Sequence, residues 1–274
     1  MNDRTPIQSG TVFALALICG TAAFLYTLYT GAPRDRRAYD ATASAAMSSR
    51  RAIGAMSADF AQPRDRAGLE KAAAENPDQY MILFDLARFA ESEGDATASI
   101  KYFTTAAEIA GIVEPSDPGY LRATFVAAWS HDRLGHASES RPRFRIAADG
   151  YTARVQEGRV QNPRIAYQRI GWCHSRLGES AAAQRAWKNA LKILQDRPAD
   201  SLGPEEHYDL GCLLTLTGNI DAAFVALDAA LAKGFAEPEW TRADEDLESL
   251  RAEPRFRDLL LRMEERRSRR RAGE

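Results

Sequence analysis

Large apolar and small residues recur along this chain at fixed offsets from a glycine. Gly178 shows the pattern most clearly. Seven residues before it stands Gly171, preceded by Ile170; five after it is Ala183, nine after is Trp187 and twelve after is Ala190. The same offsets around Gly218 give Leu210-Gly211, Ala223, Leu227 and Ala230. Around Gly94 they give Leu86-Ala87, Ser99, Phe103 and Ala106, and around Gly135 Ala127-Ala128, Ser140, Phe144 and Ala147. Small residues let two helices approach closely, and the large one fills the space between them, which is what packed antiparallel helix pairs require. The pattern therefore predicts helix–turn–helix units, each first helix closed by its glycine.

A different pattern heads the chain. Thr11–Thr30, TVFALALICGTAAFLYTLYT, has no charge and no proline. Twenty helical residues at about 1.5 Å each span roughly 30 Å, the thickness of a bilayer's hydrocarbon core. Tyr26 and Tyr29 lie at its end, where amphipathic rings prefer the headgroup level. A cleaved signal peptide fits less well, because the run is long, its flank is weakly basic and YTGAPRD holds no A-x-A site. The reading is an uncleaved anchor. Arg34, Arg36 and Arg37 after the span, against Arg4 and the amino terminus before it, lean toward a cytoplasmic soluble part, with the extracytoplasmic side left open.

The expected organisation follows from these patterns: an N-terminal tail over 1–10, a transmembrane helix over 11–30, a helical linker over 31–64 and repeats over 65–233. Within the array, 65–79 is a degenerate half repeat, and 80–113, 121–154, 164–197 and 204–233 are full units. A capping segment covers 234–261 and a basic tail 262–274. GIVEPSDPGY (Gly111–Tyr120), with two prolines and two glycines, is a loop. Pro142 falls in a second helix and is tolerable there if Ser138 caps that helix, so that the proline lies in the opening turn.

The offsets resemble those of the tetratricopeptide (TPR) family: a large residue, Leu-Gly, Tyr, Gly, Ala, an aromatic, Ala and Pro. The Gly-to-Gly spacings here, 41, 43 and 40 residues, exceed the family's 34, so helices or loops must be longer. GFAEPEWTRADEDLESLRAEPRFRDLL (Gly234–Leu260) resembles the end-of-group segment that closes many bacterial TPR arrays. Gly234 would stop a helix in a left-handed cap. Trp240, Leu247, Leu250 and Phe256 would then cover the end of the last repeat. The fold expected is an all-α TPR-type helical solenoid preceded by a single transmembrane helix.

The resemblance implies that the first helices line a concave groove. Carried onto this chain, the groove positions are Phe84 and Arg88; Arg122, Phe125, Trp129 and Arg133; Gln168, Trp172 and Arg176; and Tyr208, with Cys212 beside it. Aromatic rings interleaved with Arg suit a partner segment with apolar and acidic side chains. Of the Lys/Asn/Arg set with which chaperone-type TPRs grip a terminal carboxylate, Arg169 alone falls in place. The implied function is a membrane-anchored scaffold or adaptor for other proteins. The alternative is a structural subunit of an envelope complex with no peptide-binding role.

Composition narrows the chemistry. Net charge is −2 with 27% charged residues, so no global field draws nucleic acid. Cys19 lies in the apolar run, and Cys173 and Cys212 read as small buried apolar residues. His131 and His174 occupy equivalent places in successive units and read as flat side chains filling equivalent holes. No phosphate-binding glycine loop follows a strand, and neither G-x-S-x-G nor H-E-x-x-H occurs. No catalytic residue, cofactor or metal is expected. Asp244-Glu245-Asp246 reads as an acidic helix start. Arg266, Arg267, Arg269, Arg270 and Arg271 read as a basic helix end or, alternatively, a contact for anionic lipid or RNA.

Overall fold

The computed structural model describes residues 64–272, without the side chain of Arg271. The anchor expected over 11–30 and most of the linker lie outside the described residues. Among the described residues, no helix is long and apolar enough to cross a membrane.

The described residues form α1 (Arg66–Glu75), α2 (Tyr80–Ser92), α3 (Ala96–Gly111), α4 (Tyr120–Arg133), α5 (Ala137–Gln156), α6 (Pro163–Arg176), α7 (Ser180–Gln195), α8 (Pro204–Leu216), α9 (Ile220–Lys233), α10 (Pro238–Ala243) and α11 (Pro254–Ala272). Short 3-10 helices occupy Ala199–Ser201 and Glu245–Leu250. Helices α2–α9 pair as four successive hairpins, α2·α3, α4·α5, α6·α7 and α8·α9, each packed on the next, with α1 against α2. This is an all-helical, TPR-like solenoid.

Local chemistry explains where the helices start and stop. Asp65 and Asp95 accept backbone N–H groups from Gly68 and Ala98 at 2.7 and 3.0 Å, opening α1 and α3. Asn162 with Pro163 opens α6, and Pro204 opens α8. Gly94, Gly135, Gly178 and Gly218 all have φ between 76° and 83°, the left-handed conformation that turns each hairpin. The spacing of small and large residues is a packing code. A β-carbon on Gly171 would lie 2.2 Å from the indole nitrogen of Trp187, and one on Gly211 would lie 2.7 Å from Leu227. Ala87 with Phe103 and Ala128 with Phe144, the equivalent pairs, are fully buried.

Two expectations need correcting. Pro142 lies inside α5 beyond its first turn, because the helix already starts at Ala137 after His136; Ser138 is within the helix and does not cap it. His131 and His174 do not fill holes. Both are half-exposed at the ends of first helices, where His131 meets His136 at 3.5 Å and His174 meets Glu179 at 2.6 Å across the glycine turn.

The segment after α9 closes the molecule on itself. Gly234 ends α9 at φ 115°. Leu247, Leu250, Phe256, Leu259 and Met263 are buried in the core of the last hairpin, as a cap requires. Trp240 packs against that core as expected and goes further: with Ala243 it also reaches the first hairpin, packing on Phe89 at 6.2 Å between centroids and joining the cluster of Leu69, Ile82 and Leu86. Arg64 approaches Glu205 at 3.9 Å and stands 5.1 Å above the Phe235 ring, so the start of the array meets its end. The basic tail is part of α11. Arg267 pairs with Glu239, Arg262 with Asp228, and Arg266 and Arg270 donate to the carbonyls of Ala232 and Gly234 at the end of α9.

Candidate functional site: the inner face and its acidic occupant

The first helices α2, α4, α6 and α8 line the inner side of the array, and the predicted groove residues fall on them. Most of these residues do not face open space. They converge on Asp244-Glu245-Asp246, the acidic turn that opens the 3-10 helix after α10.

Asp244 is buried and saturated. One carboxylate oxygen accepts from the Arg88 guanidinium at 3.2 Å and from the Asp246 backbone N–H at 3.1 Å. The other accepts from the Tyr208 hydroxyl at 2.8 Å and from the Cys212 thiol at 3.8 Å. Glu245 accepts from the Trp129 indole N–H at 3.3 Å and from Arg176 at 3.2 Å. Asp246 accepts from the Trp172 indole N–H at 2.7 Å and from the Gln168 amide. Each acid thus meets planar donors from two first helices or from neighbouring turns of one.

Aromatic packing sets those donors. Trp129 touches Phe84, Phe125, Phe144 and Trp172, the last at 4.8 Å and 73°. The Arg176 guanidinium lies 4.7 Å above Trp129 and 5.5 Å from Trp172, held also by Asp132 at 3.3 Å. Arg88 lies over Phe84 and Trp240 and keeps a second carboxylate, Asp85, at 3.7 Å. Arg133 pairs with Glu91 and contributes charge near Glu245.

Burial dominates the electrostatics. It pushes Asp246 up to about 8, reinforced by Asp244 and opposed by the Trp172 hydrogen bond and Arg88. It raises Asp85 to about 6 against the pull of Arg88, and raises Glu245 against Arg88, Arg133 and Arg176. The Cys173 thiol is pushed up to about 12, and Cys212 well above its usual value, both by burial. These thiols are the reverse of activated nucleophiles. Cys212, Asp244 and Asp246 do gather within 4.8 Å of one another. Every carboxylate oxygen among them already accepts from a protein donor, so the donor set describes a hydrogen-bonded core cluster and not a vacant ligand cage.

The predicted groove residues therefore divide. Phe84, Arg88, Trp129, Gln168, Trp172, Arg176 and Tyr208 hold the acidic turn or the rings around it, and Phe84, Trp129 and Tyr208 are buried. Arg122 and Phe125, nearer the start of α4, stay half-exposed. Beside them lies Arg169, which sequence reasoning marked only as one position of a carboxylate grip. Arg169 donates to the Tyr151 hydroxyl at 2.9 Å and lies 5.9 Å from the Phe125 ring. Arg122 and the Tyr80 hydroxyl both lie beside Gly119, as does the Asp117 carboxylate. Neither arginine forms an ion pair among the described residues. Tyr80 and Tyr151 had no sequence signal beyond opening a first helix and ending in a second. A further cleft of about 310 Å³ opens between α6, α8 and the 3-10 helix, lined by Trp172, Thr215, Leu216, Glu245, Asp246, Glu248 and Ser249.

No family model matches the chain, and no curated protein matches it. Solved structures of repeat proteins are similar to it. A kinesin light chain from Podosopora anserina with nearly identical TPR-like repeats shares 14% identity over 71% of this chain and 98% of that one, with a TM-score of 0.35. YrrB, a TPR protein with an unusual peptide-binding site, shares 14% over 72% and 91%, with a TM-score of 0.28. BtubC from P. vanneervenii shares 18% over 78% and 93%, with a TM-score of 0.34. At these scores the likenesses carry no argument about site or partner, and the repeat architecture rests on the helix pairs themselves.

Proposed function

We propose that this chain is a protein-interaction scaffold, tethered to a bilayer through residues 11–30, that engages partner segments on the part of its inner face left uncovered by its own C-terminal segment. The observation that carries this reading is the pair Arg122 and Arg169, the latter over Phe125, which form no ion pair among the described residues, in an array whose other inner-face arginines, Arg88, Arg133 and Arg176, are each matched to an acid. The alternating arginines and aromatics remain the binding chemistry, but most of the expected groove is a closed interior.

Magnitudes argue against the cap leaving to admit a partner. Leu247, Leu250, Phe256, Leu259 and Met263 are all buried. Each such side chain is worth about 1.5–3 kcal/mol when transferred from water. Releasing all five together, at about 8–15 kcal/mol, would cost at least what a typical micromolar peptide returns, roughly 8 kcal/mol. The burial of Phe84, Trp129 and Tyr208 favours the second reading, a structural role, for those residues in particular.

Crosslinking and partner capture from detergent-solubilised membranes tests the scaffold reading. It expects defined proteins recovered with the wild-type chain and lost when Arg122 and Phe125 are changed together. Recovery unaffected by that change, with contacts mapping to the outer helices α3, α5, α7 and α9, would favour the structural-subunit reading. The Arg34, Arg36 and Arg37 cluster supports a cytoplasmic array over an extracytoplasmic one, and protease accessibility in intact cells decides between the two sides.

A further inference from the structure

One hairpin turn differs from the other three. The residue four before each closing glycine and the residue just after it are Ala90 and Asp95, His131 and His136, His174 and Glu179, and Leu214 and Asn219. The second hairpin alone has an imidazole at both places. At the later place Asp95 caps α3 by accepting from the Ala98 N–H, and Glu179 meets His174. His136 stands at the N-cap of α5, yet its side chain makes no cap hydrogen bond; its Nδ1 faces the Nδ1 of His131 at 3.5 Å. The two ring centroids are 5.7 Å apart, so the Nδ1 edges point inward from rings that diverge. The backbone fixes this approach. Gly135, at φ 76°, turns the chain, and the His136 N–H donates to the His131 carbonyl at 2.8 Å, which ties both residues to one turn.

A separation of 3.5 Å is long for a hydrogen bond, which usually spans about 2.7–3.2 Å. It is close to the bite of a tetrahedral ion, because two nitrogens at about 2.0–2.1 Å from zinc lie about 3.3 Å apart. We propose that His131 and His136 bind a divalent transition-metal ion of the zinc class through their Nδ1 atoms, with Glu139 as the third ligand. Glu139 lies in the first turn of α5, three residues after His136, and its charge acts on both imidazoles. Its exposed carboxylate accepts from the neighbouring Ser138 hydroxyl, a contact that side-chain rotation gives up at little loss. Two imidazoles and one carboxylate leave a fourth position for water. His136 is exposed and His131 half-exposed, so an ion reaches the pair from solvent. The Arg143 guanidinium, which donates to the Glu139 carbonyl, opposes the ion's charge, so the site calls for a metal with strong bonds to nitrogen and not for a hard cation such as calcium. The other two histidines offer no equivalent: His174 stands 2.6 Å from Glu179, too close to admit an ion between them, and His207 is buried. This metal site does not rest on the scaffold reading.

Zinc chloride titrated by calorimetry into the full, untagged chain, freed of metal with a chelator and held in mild detergent, is the test. One ion per chain should bind with micromolar strength. His131→Gln and His136→Asn should each weaken binding at least tenfold, and Glu139→Gln severalfold, while His174→Gln should leave it unchanged. Asparagine is a better N-cap than histidine, so an undiminished thermal melt of His136→Asn separates lost ligation from a lost fold. Copper(II) holds nitrogen ligands more tightly than zinc, and its electron paramagnetic resonance spectrum should report two coordinated nitrogens in the wild-type chain and one in either single variant. No zinc binding, or equal binding by the wild-type chain and the double variant His131→Gln with His136→Asn, overturns the site. A wild-type copper spectrum with one nitrogen overturns the pairing of the two rings. Binding lost in His174→Gln and kept in His136→Asn would move the ion to another turn and overturn the site as well. An affinity unchanged by Glu139→Gln overturns the third ligand.

Discussion

Asp244→Ala is the sharpest test of how the inner face is held. The carboxylate is buried, and it serves Arg88, Tyr208, Cys212 and the backbone of Asp246 at once. Removing one partner of a buried ion pair costs about 3–5 kcal/mol, because the other charge remains in a medium that solvates it poorly. The Tyr208 hydroxyl, also buried, loses its acceptor, and an unsatisfied buried donor costs about 1–3 kcal/mol. Two effects reduce the total. Arg88 keeps Asp85 at 3.7 Å, and removing Asp244 relieves its repulsion of Asp246 and Asp85. The net expectation is a loss of about 3–5 kcal/mol from a stability that for ordinary domains is about 5–15 kcal/mol. Urea unfolding followed by tryptophan fluorescence reads it as a midpoint lowered by about 1–2 M at an unchanged slope of about 2–3 kcal/mol/M. Asp244→Asn, which keeps an acceptor for Tyr208, should cost less. Arg88→Met combined with Asp244→Ala should cost less than the two changes added, by about 1–3 kcal/mol. A loss under about 1 kcal/mol for Asp244→Ala, or strict additivity with Arg88→Met, would mean that the acid is not buried against that arginine and that the closed inner face is wrong.

Three other outcomes are expected. Gly171→Ala puts a methyl 2.2 Å from the rigid Trp187 indole and should cost about 1–3 kcal/mol in a thermal melt; Gly211→Ala, facing the more mobile Leu227 at 2.7 Å, should cost less. Asp246 is held at about 8 and Asp85 at about 6 in the folded chain, both above the unfolded carboxylate near 4. A raised value adds stability that is fully present below the unfolded value and lost as pH rises through the folded one. Unfolding free energy should therefore fall between about pH 4 and 8, and Asp246→Asn should flatten the part above about pH 6. The groups facing Asp246 are Arg88, Asp209, Gln168, Trp172 and its neighbour Asp244, so substitution at any of them should shift that limb. Finally, because Trp240 ties the cap to the first hairpin, the array should unfold in one transition. Trp240→Ala should broaden it and lower the denaturant slope, and an unchanged slope would show that the two ends are not coupled.

The helical array was legible because its code is local. A glycine with φ near 80° closes each first helix, and the small and large partners seven before and nine after it meet across one hairpin. Both ends of each contact therefore lie within one repeat of the sequence. The cap's apolar residues were legible for the same reason; the second contact of Trp240 was not, because Phe89 is more than a hundred residues away. The acidic segment is the helix start that the sequence suggested, with Asp244 as N-cap of the 3-10 helix, but its distant partners were not legible. Asp244 does accept the Asp246 N–H as such a residue would, but its stronger partners, Arg88 and Tyr208, lie in the first and last hairpins. Nothing in a local pattern distinguishes an acid that solvates itself from one that an arginine far along the chain receives. His131 and His174 failed in the opposite direction. Repeat equivalence placed them together, but their partners His136 and Glu179 were five residues on, close enough to have been found from helix-end geometry.

Position along the helix decides which groove residues the closure consumes. On α4, Arg122 and Arg133 are separated by roughly 16 Å at about 1.5 Å per residue, while a six-residue 3-10 helix extends only about 12 Å. The cap reaches α2, α6 and α8 and meets α4 at Trp129, near its end, and it is too short to continue along α4 to its start. Periodicity alone assigned Arg122, Phe125, Trp129 and Arg133 to one stripe, and the stripe is real. What separates its two halves is the length of a segment more than a hundred residues later. In a repeat array that closes on itself, a residue's axial height, and not only its face, determines whether it is core or remains available to a partner.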